Sequence, residues 1–294
     1  MHDDCAYAVK LIHRPPVYLF LIPSVQSSIF KKLFLLNTLF RIQSSIKHWL
    51  DKVDEHSIHS PFFYDFYLRI IRGETKSHFT DIEKLRTQLL QNNSIIKLKD
   101  LGDTSAYFKS EDRSISKIAH TSLTDAKYCE LFYRIAENIE AENIVELGTS
   151  MGITSLYLAQ LKKSRVTTFE GNPDLINIAK TNFELFGKKN IEIIEGNIDQ
   201  TLSDYLQNPA KIDFALMDAN HRYEPTVRYF NWIAKRMSDT GIIVIDDIYR
   251  SPEMAKAWNE LRKHDLVYSS VDLFTCGILF FDLSLTKQHF IWSY

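Results

Sequence analysis

The sequence is short of cysteine, of long apolar runs and of net charge, and each shortage removes a class of protein. Its three cysteines, Cys5, Cys129 and Cys276, are widely spaced and form no Cys-x-x-Cys pair. Neither a disulfide framework nor a zinc site is supported, and a reduced, cytoplasmic setting is the simplest expectation. The apolar runs Val17–Ile22 and Leu33–Phe40 are separated by polar residues that include Lys31 and Lys32. Both fall well short of the roughly 20 apolar residues that cross a bilayer, so no membrane partner is expected. A signal-peptide core over residues 17–25, behind His13 and Arg14, lacks a clean small-x-small cleavage site. The formal net charge of −2 gives no sign of nucleic acid as a partner. There is no internal repeat.

What remains is an ordinary globular chain of 294 residues, 45% apolar and 24% charged. That length is enough for one large domain, or for one catalytic domain plus a smaller one. Residues 1–28 read as a tail, 29–120 as a helical N-terminal or lid region, and 121–294 as the main domain. Leu33, Leu36, Phe40, Ile46 and Leu50 have helical spacing, ending near Lys52. Ser60 and Pro61 open an aromatic helix that Gly73 closes. Its aromatics, Phe62 to Tyr67, suit core or dimer contacts, which leaves a homodimer open. Thr80-Asp-Ile-Glu83 reads as a capping box for a helix through Asn92, and Asp125 to Glu140 as a further helix. No strand alternation is evident before Asn143.

From Asn143 onward strands and helices alternate. Strands are expected at Ile144–Leu147, Arg165–Glu170, Asn190–Glu195, Ile212–Asp218 and Gly241–Asp246, with helices between them. Leu266–Leu273 and Cys276–Phe281 follow a last helix and are close enough to pair antiparallel. The pattern predicts an α/β, Rossmann-like doubly wound fold: a mainly parallel seven-stranded sheet with an antiparallel C-terminal hairpin, preceded by helices. Ligands of such sheets sit at the carboxyl ends of the strands. Those ends carry Glu146, Gly148 and Gly152, then Glu170 and Gly171, then Gly196 and Asn197, then Asp218, then Asp246 and Asp247. A carboxylate there can also cap the next helix, but capping alone explains the regular succession poorly.

Val145-Glu-Leu-Gly-Thr-Ser-Met-Gly152 resembles the first motif of class I S-adenosylmethionine-dependent methyltransferases. Glycine permits the close backbone approach such a turn requires, and the spacing differs from the Gly-x-Gly-x-x-Gly loop of dinucleotide sites. The resemblance implies that Glu146, Gly148, Thr149, Ser150 and Gly152 border the methionine part of the cofactor. It implies that Glu170 and Gly171 border the ribose, an acid that would equally serve NAD. Gly196 and Asn197 would then lie beside the adenine, with Asp218 and Tyr223 completing the site.

The second constellation is Asp218-Ala-Asn-His-Arg-Tyr-Glu224 together with Asp246 and Asp247. Three converging carboxylates are costly unless a cation joins them, and a hard divalent ion such as Mg²⁺ suits oxygen ligands. The set resembles the metal-dependent O-methyltransferases of catechol and sugar type, which implies Asp218, Asp246 and Asp247 as metal ligands. By that resemblance His221 and Asp218 are catalytic, His221 as general base on the hydroxyl of a small-molecule acceptor. Asp247 as a turn cap, His221 as a loop histidine and Tyr223 as a packing residue are the plainer alternatives. A cofactor-binding protein without catalysis, in a partner or regulatory role, and a metal-independent methyltransferase stay open as functions. An Asn/Asp-Pro-Pro-Tyr signature of amino methylation is absent.

Overall fold

The computed structural model describes residues 23–74, 79–98 and 111–294. Expectations about Cys5 and Val17–Ile22 lie outside the described residues. Helix α1 (Pro23–Asp51) leads through a 3-10 turn to α2 (Pro61–Phe66), which runs on as a π-helical turn over Tyr67–Ile71. Then come α3 (Thr80–Gln91), strands β1 (Ile95–Leu98) and β2 (Glu111–Ser114), α4 (Ile115–Ser122) and α5 (Ala126–Asn138). The alternating part follows as β3 (Asn143–Leu147), α6 (Ile153–Leu158), β4 (Arg165–Glu170), α7 (Pro173–Leu185), β5 (Ile191–Glu195) and α8 (Ile198–Tyr205). It continues as β6 (Ile212–Met217), α9 (Tyr223–Ala234), β7 (Met237–Asp246), α10 (Pro252–Leu261), β8 (Ser269–Asp272), β9 (Cys276–Phe280) and β10 (Gln288–Ile291).

The main sheet has the order β10-β8-β9-β7-β6-β3-β4-β5. Its pairings are parallel except those of β9, which runs against β7 and β8. The chain winds outward from β3 through β4 to β5, then returns to β6 on the other side of β3. The switch in strand order therefore lies between β3 and β6, where open α/β sheets bind ligands. The central strands Ile144–Leu147, Phe214–Met217 and Ile242–Ile245 are buried on both faces, which accounts for their apolar runs, broken only by Glu146.

Three expectations are corrected. The main sheet has eight strands rather than seven, because β10 adds parallel to β8 at the edge. The four residues of β10 are too few for a clear period; Phe290 and Trp292 are buried against Phe63, and Trp292 also meets Tyr67. The second correction is the antiparallel pair β1–β2 inside the region read as purely helical. Its second strand, Glu-Asp-Arg-Ser, has no apolar alternation to reveal it. Third, Thr80 makes no capping box: Phe79 holds the cap position, and Glu83 instead accepts from Arg86 and from the Tyr157 hydroxyl. Phe63 and Phe66 belong to the same core as Ile144, Phe214 and Phe280, so the aromatic helix serves packing. Gly187 does close α7, at φ +59°, with the Lys188 N–H returning to Phe183.

Asp272, 1% exposed at the end of β8, ties this edge together. It accepts from the Tyr249 hydroxyl at 2.8 Å, from Trp258 Nε1 at 2.9 Å and from the Phe274 N–H at 2.9 Å, and it meets His48 of α1 at 3.2 Å. Burial pushes this carboxyl up, but the bonds from His48, Phe274 and Tyr249 outweigh it and hold it below the ordinary range. Its stabilisation is therefore present at neutral pH and lost as pH falls below about 4. Asp272→Ala is expected to cost about 1–3 kcal/mol at pH 7, the range for leaving buried donors unpaired. Chemical denaturation measures this, and the gap to the parent should narrow in acid.

Candidate active site

The cleft lies where the strand order switches, and one close approach shapes it. Gly148 leaves β3 at φ +102°, and a Cβ there would lie 2.2 Å from the backbone oxygen of Asp218. Gly152 opens α6 at φ +81°, where a Cβ would lie 2.4 Å from the Phe183 ring. Between them Ser150 also takes positive φ, and its N–H donates to Glu170 Oε2 at 2.9 Å. The other Glu170 oxygen accepts from the N–H groups of Gly171 and Asn172, both at 2.9 Å. Burial raises the Glu170 carboxyl above its ordinary value, and these three amides pull it back.

The cleft encloses about 1360 Å³ and is lined by Gly148, Ser150, Glu170, Gly171, Gly196 and Asn197 on one side. On the other side stand Asp218, His221, Tyr223, Asp246 and Asp247. Its size exceeds that of an ordinary small-ligand site, about 300–1,000 Å³, and leaves room for two molecules side by side. Three residues expected at the site stand behind this lining. Glu146 is 1% exposed and accepts from Ser155; burial pushes its carboxyl up to about 7. Thr149 pairs with the Thr168 hydroxyl at 2.6 Å, and Gly152 lies beneath the turn against Phe183. Asn197 caps α8, accepting from the Asp199 N–H at 2.9 Å, while it borders the cleft. Tyr223 turns its hydroxyl to Glu260, and Lys256 lies 4.1 Å above its ring.

The charged half is tightly coupled. His221, itself at positive φ, puts Nε2 3.4 Å from Asp218 Oδ1 and Nδ1 3.8 Å from Asp247 Oδ2. Burial raises the Asp218 carboxyl well above its usual range, and the charges of Asp246 and Asp247 push the same way. Asp246 is pushed up to about 7 by burial and by Asp247. The third acid, Asp247, is bound to the Arg250 guanidinium at 2.8 Å.

A cation fits this set in part. Asp246 Oδ1 is buried and has no partner among the described residues, and the raised carboxyls of Asp218 and Asp246 are what a divalent ion would relieve. Among the described residues, however, no group of three His, Cys, Asp or Glu side chains is arranged to hold a metal ion. The expected convergence of Asp218, Asp246 and Asp247 on one point is thus not what the side chains adopt: Arg250 holds the third.

Several lining residues escaped the sequence reading. Ser122 meets the Ser150 hydroxyl at 2.9 Å, and the Thr124 hydroxyl approaches Asp218 Oδ2 at 3.4 Å, so the turn between α4 and α5 borders both halves. Asn172 caps α7 and lines the cleft with a buried, unpartnered amide nitrogen among the described residues. Only Asn172, adjacent to Gly171 and Pro173, carried a local signal, that of a helix cap.

Residues 145–248 match the family model of a methyltransferase domain. Over those residues the chain is similar to that family. It is 29% identical over 117 residues to a catechol O-methyltransferase of Niastella koreensis, covering 38% of this chain and 52% of that protein. The chain thus spans about half the length of this curated relative. A methyltransferase from Geobacter sulfurreducens shares the fold at TM-score 0.51 and 14% identity, covering 76% of this chain and 98% of that one. An SAH-bound methyltransferase of Podospora anserina does so at TM-score 0.50 and 15% identity, covering 70% and 98%. Among the described residues no helix is long and apolar enough to cross a membrane.

Burial lowers the His221 imidazole to about 4; Asp247 opposes this and Arg250 adds to it. A folded value below the ordinary 6.5 means that the unfolded chain gains protons first, so His221 lowers stability as pH falls below about 6.5. A ring-resonance NMR titration should find His221 neutral throughout pH 6–8, with a midpoint near 4.

Proposed function

We propose that this protein transfers a methyl group from S-adenosylmethionine to a hydroxyl oxygen of a small molecule. The carrying observation is that one cleft joins the Gly148–Glu170–Asn197 wall to the Asp218–His221 wall at the strand-order switch. Ser150 and Glu170 orient the adenosyl part, Glu170 with lone pairs beyond those its three amides use. Glycine at 148 keeps that part against the backbone of Asp218, so the methyl donor and acceptor share one small volume. The bound sulfonium supplies the electrophilic methyl group itself.

The protein's task at the other wall is to place an acceptor oxygen and take its proton. Neutral His221 is the accepting base; Asp247, 3.8 Å from its Nδ1, favours the imidazolium that results. The Asp218–Asp246 pair, raised toward neutrality, is a second store for the proton. Asp218 and Asp246 are the residues that would hold a divalent ion, joined by Asp247 once released from Arg250. Such an ion would lower the pKa of the acceptor hydroxyl. The Arg250–Asp247 contact equally favours a metal-independent reaction, in which this guanidinium offsets the charge. The similarity to a catechol O-methyltransferase makes catechol the first acceptor to assay.

Calorimetry should show binding of S-adenosylmethionine and none of NAD; the reverse would end this reading. Glu170→Gln should weaken that binding by roughly 10–100-fold, the scale of a hydrogen bond to a charged group. His221→Ala should lower kcat with an active acceptor by about 10²–10⁴ while leaving cofactor affinity in place. Turnover that survives EDTA would assign the metal-independent form.

A further inference from the structure

We propose that α1 docks the protein peripherally on an anionic lipid surface, with its apolar arc in the interface and its basic side chains at the headgroups. The helix is mounted inside out. Its half-buried side chains are Asn37, Phe40, Ser44 and His48, at the three- and four-residue spacing of one face, and three of the four are polar. The opposite face exposes Leu36 (53%), Leu39 (56%), Ile42 (54%), Ile46 (56%), Trp49 (64%) and Leu50 (67%). At 100° per residue these six fall within an arc of about 140°, which among the described side chains only Gln43 shares. A stripe of this kind on a water-exposed helix marks an interaction surface.

Charge decides between occupants. Between Cys5 and Leu50 the sequence contains no Asp or Glu, while Lys31, Lys32, Arg41 and Lys47 fall in α1. Asp51, at the last residue of α1, is its one acid. The chain as a whole is at −2, so a basic helix is carried by an acidic body. A second copy of the same helix would meet it with like charge, whereas anionic headgroups would attract it. Basic residues beside a Leu/Ile/Trp face are the composition of an interfacial helix. Attachment of this kind requires no crossing, but it departs from the expectation that no membrane partner exists.

The mounting is firm at one end. His48 meets Asp272, His48 also packs edge-on against Phe274 at 5.5 Å, and the Val53 N–H donates to the Ile291 carbonyl. Asp272 in turn holds Tyr249, two residues beyond Asp247. The helix is thereby anchored on the same rim of the sheet as the cleft.

Vesicle co-sedimentation of the full chain tests this, using phosphatidylcholine with and without phosphatidylglycerol. The parent should pellet with the anionic vesicles, and less so at high salt. Leu39→Glu/Ile46→Glu changes two exposed side chains and should reduce partitioning by at least about tenfold; Arg41→Glu/Lys47→Glu should do the same by removing the attraction. Light scattering after size exclusion reads the alternative. A dimer that dissociates in Leu39→Glu/Ile46→Glu, without vesicle binding by the parent, would overturn the proposal in favour of a second copy. Failure to sediment without such a dimer overturns it as well.

Discussion

The site rests on the contact between the turn after β3 and the backbone after β6. Gly148 approaches the Asp218 carbonyl so closely that no side chain fits between them. The Asp218 N–H in turn donates to the Leu147 carbonyl at 2.9 Å, continuing the pairing of the two strands past their ends. This fixes the distance between the wall built on Ser150 and Glu170 and the wall built on Asp218 and His221. Positive φ at Gly148, Ser150, Asn220, His221 and Asp247 shows that the backbone of both walls is bent to serve this approach. Such conformations are retained where surrounding structure over-determines them.

Electrostatics follow from the same closeness. Burying Asp218, Asp246 and Asp247 together without relief would be prohibitive. Two features relieve it: the raised carboxyls of Asp218 and Asp246, which favour their neutral forms, and the Arg250 guanidinium on Asp247. His221 sits between the two carboxylates with its own charge suppressed by burial, which keeps a lone pair available at neutral pH. A neutral imidazole and two raised carboxyls thus stand side by side in the one cleft.

The parallel part of the fold was legible because its central strands are buried on both faces and read as short, mostly apolar runs bounded by glycine and acid. Gly148, Gly152, Glu170 and Asp218 were legible for a related reason, since the switch point demands small or hydrogen-bonding residues at strand ends. What escaped depends on tertiary partners. β10 exists because Phe290 and Trp292 fill a gap above α2, and β2 exists because β1 offers it a ladder. The carboxylate set read correctly as a cluster of acids on two neighbouring strands, but the partner of Asp247 did not. Arg250 lies three residues downstream in a turn, where a rotamer rather than a pattern decides whether it points inward or to solvent.

α1 makes the same point from the opposite direction. Spacing identified an amphipathic helix, and the ordinary inference is that its apolar stripe faces the body. Burying one Leu or Ile contributes about 1.5–3 kcal/mol, so turning the stripe inward would be strongly favoured were the helix free to rotate. It is not free. His48 meets the buried Asp272 carboxylate, and the Val53 N–H donates to the Ile291 carbonyl just past the end of the helix. These contacts hold the mostly polar face of the helix to the sheet, with the apolar face outward. Asp272 is satisfied by donors from α1, from the loop bearing Tyr249 and from α10, so the orientation of the stripe and the packing of this rim depend on one carboxylate.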